Sequence, residues 1–147
     1  LQMLQTGSLS EESLTFHVLK TLQIGSRFVA SEESSAHEMF KKSVIAVKDG
    51  DTALSLKMLI PVRLVKNDFY LRVKELENSG ANREELMELL GRGRAKLGMF
   101  EGDMQEGELE IGQIAGLINE IKPAAVILED ILKEFEEERL KLLQNIF

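Results

Sequence analysis

Two short stretches carry the residues best able to do chemistry. In Gln23-Ile24-Gly25-Ser26-Arg27-Phe28, an apolar run ends in a glycine followed by a hydroxyl. A strand that stops at such a Gly turn presents backbone N–H groups and an O–H side by side, and phosphate oxygens accept from both. The second stretch is Gly112-Gln113-Ile114-Ala115-Gly116. Glycines at i and i+4 on a helix leave a bare strip where another backbone or a ligand can approach. A glycine inside a helix is about 1 kcal/mol worse than alanine, so a pair of them implies packing or a ligand. Gln113 sits in that strip with one acceptor and two donors, which suits a pocket wall.

Other chemistries find less support. His17 and His37 are the two histidines. His37-Glu38 opens like half of a zinc-protease helix, but the position four residues on is Lys41, which supplies no second imidazole. The absence of cysteine excludes disulfides, thiolate metal sites and a cysteine nucleophile, so no metal is expected. The carboxylates Glu134, Glu136, Glu137 and Glu138 diverge around one helix and read as a solvated face. Arg92, Arg94 and Lys96 read as a surface loop with structural ion pairs. With a net charge of −7, one tyrosine and no tryptophan, they do not make a nucleic-acid footprint.

The elements that must position these residues follow from spacing. Ser8 and Glu11 have capping-box separation ahead of Leu14, Val18 and Leu22, which predicts a first helix. Leu22 to Ile24 reads as a strand ending at Gly25-Ser26. A helix is expected over 31–48, with a Ser/Glu-rich start and Phe40, Val44 and Val47 buried. Asp49-Gly50-Asp51 is a turn. Residues 52–60 read as partly extended, closed by Pro61, and helices are expected over 66–77 and 83–90. Glycines at 91, 93, 98, 102 and 107 mark a loop-rich region. Ile111, Ile114, Ala115 and Ile118 form a helical stripe. Pro123 opens a last helix, whose apolar face is Leu128, Ile131, Leu132 and Phe135.

The 147 residues, 44% apolar and 29% charged, suit one soluble, mainly α domain with a few short strands. No apolar run approaches the roughly 20 residues of a membrane span, and the start lacks a signal-peptide layout. A cytoplasmic protein with no membrane or nucleic-acid partner is the expectation. A complete (β/α)8 barrel needs about 250 residues and does not fit.

The order of several motifs resembles one family. Gln23 to Ser31, followed by Glu33-Ser34 and Ala36-His37, is similar to FMN-dependent nitronate monooxygenases (2-nitropropane dioxygenases). It is equally similar to the flavin-dependent type II enoyl-acyl-carrier-protein reductases. Pro61-Val62-Arg63 with Lys66-Asn67, Gly91-Arg92-Gly93-Arg94-Ala95-Lys96, Phe100-Glu101-Gly102-Asp103, Gly112 to Ile118 and Glu120-Ile121-Lys122-Pro123 fit the same group. The resemblance runs from Leu22 to Phe135 and leaves 1–21 as a divergent segment ahead of 22–147.

By that resemblance the chain is the C-terminal portion of a TIM-barrel flavoenzyme, its last strand plus a helical segment, with the barrel incomplete. Leu22 to Ile24 would be strand eight, and Gly25 and Ser26 would hold the FMN phosphate, as barrels hold phosphate in the loops after strands 7 and 8. Gln23 would lie close to the cofactor, and Gly112 and Gln113 near the substrate pocket. The Thr6-Gly7-Ser8 stretch departs from the family's glycine-rich phosphate loop, so Gly7 is not assigned to the cofactor. Neither His17 nor His37 falls at the family's catalytic histidine, so no catalytic residue is carried over and the isolated chain is expected to be inactive. The implied substrate is an alkyl nitronate, with monooxygenase preferred over a reductase acting on an enoyl thioester with NAD(P)H. The alternative from another class is a non-catalytic helical domain that self-associates as a homo-oligomer through exposed apolar surface.

Overall fold

Residues 24–144 are described by a computed structural model, and the helix expected within 1–21, Gln23 and His17 lie outside them. The chain runs α1 (Gly25–Val29), α2 (Glu38–Ala46), β1 (Thr52–Ser55), β2 (Val62–Val65), α3 (Asp68–Asn78), α4 (Arg83–Leu90) and α5 (Arg94–Met99). A 3-10 helix (Gln113–Leu117) and the long α6 (Ala124–Gln144) complete it. The described part is mainly helical with two strands and no closed barrel.

The helix starts follow from local capping. His37 Nδ1 accepts from the Met39 N–H at 3.1 Å, and Glu38 adds an acid to the first turn of α2. Asn67 Oδ1 accepts from the Tyr70 N–H at 3.0 Å to open α3. Asn82 and Glu85 form a reciprocal capping box on α4, with bonds of 3.0 and 2.8 Å. Gly93 enters α5 at φ 76°, a left-handed conformation that glycine adopts without penalty.

β1 and β2 form an antiparallel hairpin, with Thr52 opposite Val65 and Ser55 opposite Val62. Residues 109–111 lie against the other edge of β2. The Val65 N–H donates to the Leu109 carbonyl at 3.0 Å and the Ile111 N–H to the Arg63 carbonyl at 3.1 Å. Side chains alternate along such an extended run. Leu109 and Ile111 therefore turn into one core with Ala30, Phe40, Val44, Val47, Ala115 and Ile118. A second core joins the hairpin to α3 and α4 through Leu56, Leu64, Phe69, Val73 and Leu86.

Several expectations are corrected. Of the expected strand at Leu22–Ile24, only Ile24 is described, and it is the N-cap residue of α1 at φ −114°, ψ 54°. Gly25-Ser26 thus begins a helix and is not the Gly turn expected. The helix expected from residue 31 starts only at Glu38, because Ser31 pairs with Lys122 in an isolated bridge. Pro61 does not end the extended region, since β2 follows it. The glycine-punctuated region contains α5. Gly112 to Ile118 is no α-helix: Gly112 is the N-cap residue of a 3-10 helix, and Ile114 is exposed while Ile111, Ala115 and Ile118 are buried. In α6 the buried residue is Ile127, while Leu128 is exposed. Phe40, Val44 and Val47 are buried as expected, and α4 has the expected bounds.

Candidate functional site

Ser26 and Gly112 are 86 residues apart in sequence and meet directly. Ser26 Oγ accepts from the Gly112 N–H at 2.9 Å. A Cβ on residue 112 would stand 2.6 Å from that oxygen, so the contact needs glycine. The hydrogen of the Ser26 hydroxyl takes no part in this bond and can serve another acceptor. Around the pair lies an open cleft of about 390 Å³, lined by Gly25, Ser26, Pro61, Arg63, Glu110 and Gly112 among others.

Both sides of this cleft are anchored. On one side, Arg27 donates to the Glu120 carbonyl at 3.2 Å and the Ala124 N–H to Glu33 Oε2 at 2.8 Å. Lys122 bridges Glu120 at 2.6 Å and Asp130 at 2.8 Å, and its hydrogen bonds with Asp130 and Glu120 raise its pKa. These contacts tie α1 to the start of α6. On the other side, Arg63 Nη1 donates to the Thr52 carbonyl at 3.3 Å and to Thr52 Oγ1 at 3.2 Å, which fixes the guanidinium along the hairpin.

The loop leading to Gly112 is held from below. Asn67 Nδ2 donates to the carbonyls of Met104 at 2.9 Å and Gly107 at 2.8 Å. Gly98 and Gly107 let α5 and this loop touch, since a Cβ on residue 98 would stand 2.7 Å from Leu109 Cδ2 and 3.0 Å from Gly107 Cα. Arg94 stacks 4.7 Å over the Phe69 ring centroid and donates to the Glu106 carbonyl at 2.8 Å. Glu106 also pairs with Arg72, and that hydrogen bond is the main reason its carboxyl titrates below its ordinary range. Lys96 pairs with Glu101 at 2.8 Å. Arg94 and Lys96 thus form ion pairs as the sequence suggested, but from helix α5 and not from a surface loop, and the Lys96 pair is exposed.

The expected site residues divide. Gly25, Ser26 and Gly112 share one cleft. Gln113 is exposed and lines a different one, with Asp49, Ile114, Gly116 and Leu117. His37 is engaged in capping α2. Its neighbour in the incomplete zinc signature, Lys41, is buried and donates to the Glu32 carbonyl at 3.0 Å. No cluster of three or more metal-ligating side chains occurs among the described residues. Arg63, which the sequence marked only as part of a family motif, and Glu110, which it did not mark, also line the cleft. Nor did it mark Glu108, whose pKa burial pushes up to about 7, with Glu110 adding repulsion and Arg94 opposing. The alternation in Glu108-Leu109-Glu110-Ile111 is the signal that could have found the two acids.

Comparison with known proteins decides the family. A family model described as nitronate monooxygenase matches residues 20–134. The chain belongs to the nitronate monooxygenase family. The structure of FabK from Thermotoga maritima is similar to it at a TM-score of 0.74 and 40% identity, covering 82% of this chain and 38% of that one. A point mutant of the same FabK matches at a TM-score of 0.67 and 37% identity, covering 82% of this chain and 35% of that one. This member of the nitronate monooxygenase family therefore spans well under half the length of the structures it resembles. No helix among its described residues is long and apolar enough to cross a membrane.

Proposed function

We propose that this chain is the part of an FMN-dependent oxidoreductase that anchors the flavin phosphate, with Gly25 and Ser26 as its contacts and Gly112 beside them. The observation that carries this reading is the Ser26–Gly112 hydrogen bond, which draws the two motif stretches to one cleft. The residues suit the group. A Cβ at Gly25 would meet nothing within 4 Å, so an anion has room against the backbone there. Ile24, as N-cap residue, has no side-chain oxygen to occupy the first N–H groups of α1. The Ser26 hydroxyl has a hydrogen to donate, and Arg63 brings a cation to the cleft that Glu110 also lines.

FMN bound here supplies the redox chemistry, oxidation of an alkyl nitronate with O2 in the complete enzyme. This chain's residues bind and orient. Ser26 donates to a phosphate oxygen while Gly112 fixes its rotamer and contributes to the pocket wall, whereas Gln113, expected from sequence at the substrate pocket, lines the separate cleft. The two strands and the lack of a closed barrel among the described residues support the reading that this chain alone does not enclose an isoalloxazine ring and is inactive. The same motifs fit an enoyl-thioester reductase equally well. Nitronate-dependent O2 uptake against enoyl-dependent NAD(P)H oxidation, measured on the complete enzyme, separates the two.

The test is titration of the purified chain with FMN and, in parallel, with riboflavin, followed by flavin fluorescence. Saturable micromolar binding of FMN, absent for riboflavin and weakened in Ser26→Ala, is the expected result. Equal binding of both flavins, or no saturable FMN binding, overturns phosphate anchoring by this cleft.

A further inference from the structure

A second cleft, of about 440 Å³, lies between the hairpin loop and α4. Leu56, Leu59, Val62 and Leu90 form its apolar walls, with Ile60 and Met87 at the mouth, 76% and 53% exposed. Such surface gains by covering an apolar body. Into this apolar space the extended run 108–111 delivers two acids. Because side chains alternate, Leu109 and Ile111 enter the core, while Glu108 and Glu110 share the opposite face and line the cleft.

Glu108 is the unusual group. It is 7% exposed, yet its carboxyl makes no hydrogen bond and no ion pair among the described residues. Its carboxylate faces the cleft with its stem packed away from water, and the protein offers it no donor there. The charges around it are Glu110, which repels, and Arg94, which attracts from α5. Arg83 also lines the cleft, but it is exposed at the start of α4 and hydrated. Its effect on a ligand is weaker than that of a buried charge, where the dielectric is lower.

We propose that this cleft binds a primary ammonium group carried on an apolar body, with Glu108 and Glu110 as its counter-charges. The ammonium gives Glu108 the donor it lacks, and the alkyl chain covers the walls. Because burial and Glu110 hold the free Glu108 carboxyl partly protonated near neutrality, binding a cation ionises it. Affinity therefore rises with pH up to about 7 and levels above. The apparent affinity scales with the ionised fraction, which gives about a 30-fold increase between pH 5.5 and pH 8.

The test is calorimetric titration of the chain with n-hexylammonium and with hexan-1-ol as the neutral isostere, without flavin. The ammonium should bind at least roughly tenfold tighter at pH 8. That preference and its pH dependence should vanish in Glu108→Gln, whose fold is checked by thermal melting. Glu110→Gln keeps the test alive if the first variant fails to fold. It should weaken ammonium binding and move the pH midpoint down, because a repelling neighbour is gone. Equal binding of alcohol and ammonium, an unchanged preference in both variants, or no saturable ammonium binding overturns the proposal. Since no flavin is present, such a failure leaves the flavin reading standing.

Discussion

Asn67 joins three parts of the molecule with one amide, so replacing it separates capping from tethering. Its oxygen caps α3, while its nitrogen holds the carbonyls of Met104 and Gly107 in the loop that leads to Gly112. Loss of an N-cap is worth about 1 kcal/mol. Each half-buried carbonyl left without its donor adds about 1 kcal/mol. Asn67→Ala should therefore destabilise by about 2–3 kcal/mol, read as a drop in the urea midpoint at constant slope. Asn67→Ser, which keeps a cap and loses the tether, should recover about 1 kcal/mol of that. Asn67→Asp is the sharper variant. It keeps the cap but sets a carboxylate against two carbonyl oxygens, so at pH 7 it should be no more stable than the alanine variant. Acid should restore part of the loss, because a protonated carboxyl can donate once. If Asn67→Asp matched the parent at pH 7, or Asn67→Ala lost less than about 0.5 kcal/mol, the tethering argument would be wrong.

Two further predictions concern stability. Glu108 has a folded-state pKa raised from its ordinary 4.5 to about 7, so its contribution to stability is present below 4.5 and is lost as pH rises through 7. Urea melts should show stability falling across that window, by at most about 1.4 kcal/mol per pH unit, and Glu108→Gln should flatten the fall. Gly98→Ala sets propensity against packing: in α5 alanine is intrinsically better by about 1 kcal/mol, yet its Cβ would meet Leu109 and the Gly107 backbone. Packing should win, with a lower melting temperature in calorimetry, whereas a rise would show that loop and helix can part without cost.

Much of the order along the chain is legible locally. The apolar spacing of Phe40, Val44 and Val47 marks a buried face because a helix brings i and i+4 together whatever surrounds it. Residues 83–90 read correctly as α4 for the same reason, and Pro123 announces α6 because its missing N–H is harmless in a first turn. The sequence of motifs from Gln23 to Pro123 was enough to point to the nitronate monooxygenase family. What spacing does not carry is the neighbour. β2 is four residues long and exists because β1 on one edge and residues 109–111 on the other take its hydrogen bonds. Ile127 is buried and Leu128 exposed, though both fit an apolar helix, because burial depends on what the helix packs against. Gly25-Ser26 reads as a turn from its residues and becomes the start of a helix, whose serine reaches Gly112 across 86 positions. Residue types and their periods were thus decided by the chain itself. Which of those groups share a cleft, and which acid faces one without a donor from the protein, was decided only by tertiary packing, since no local rule encodes a contact between distant segments.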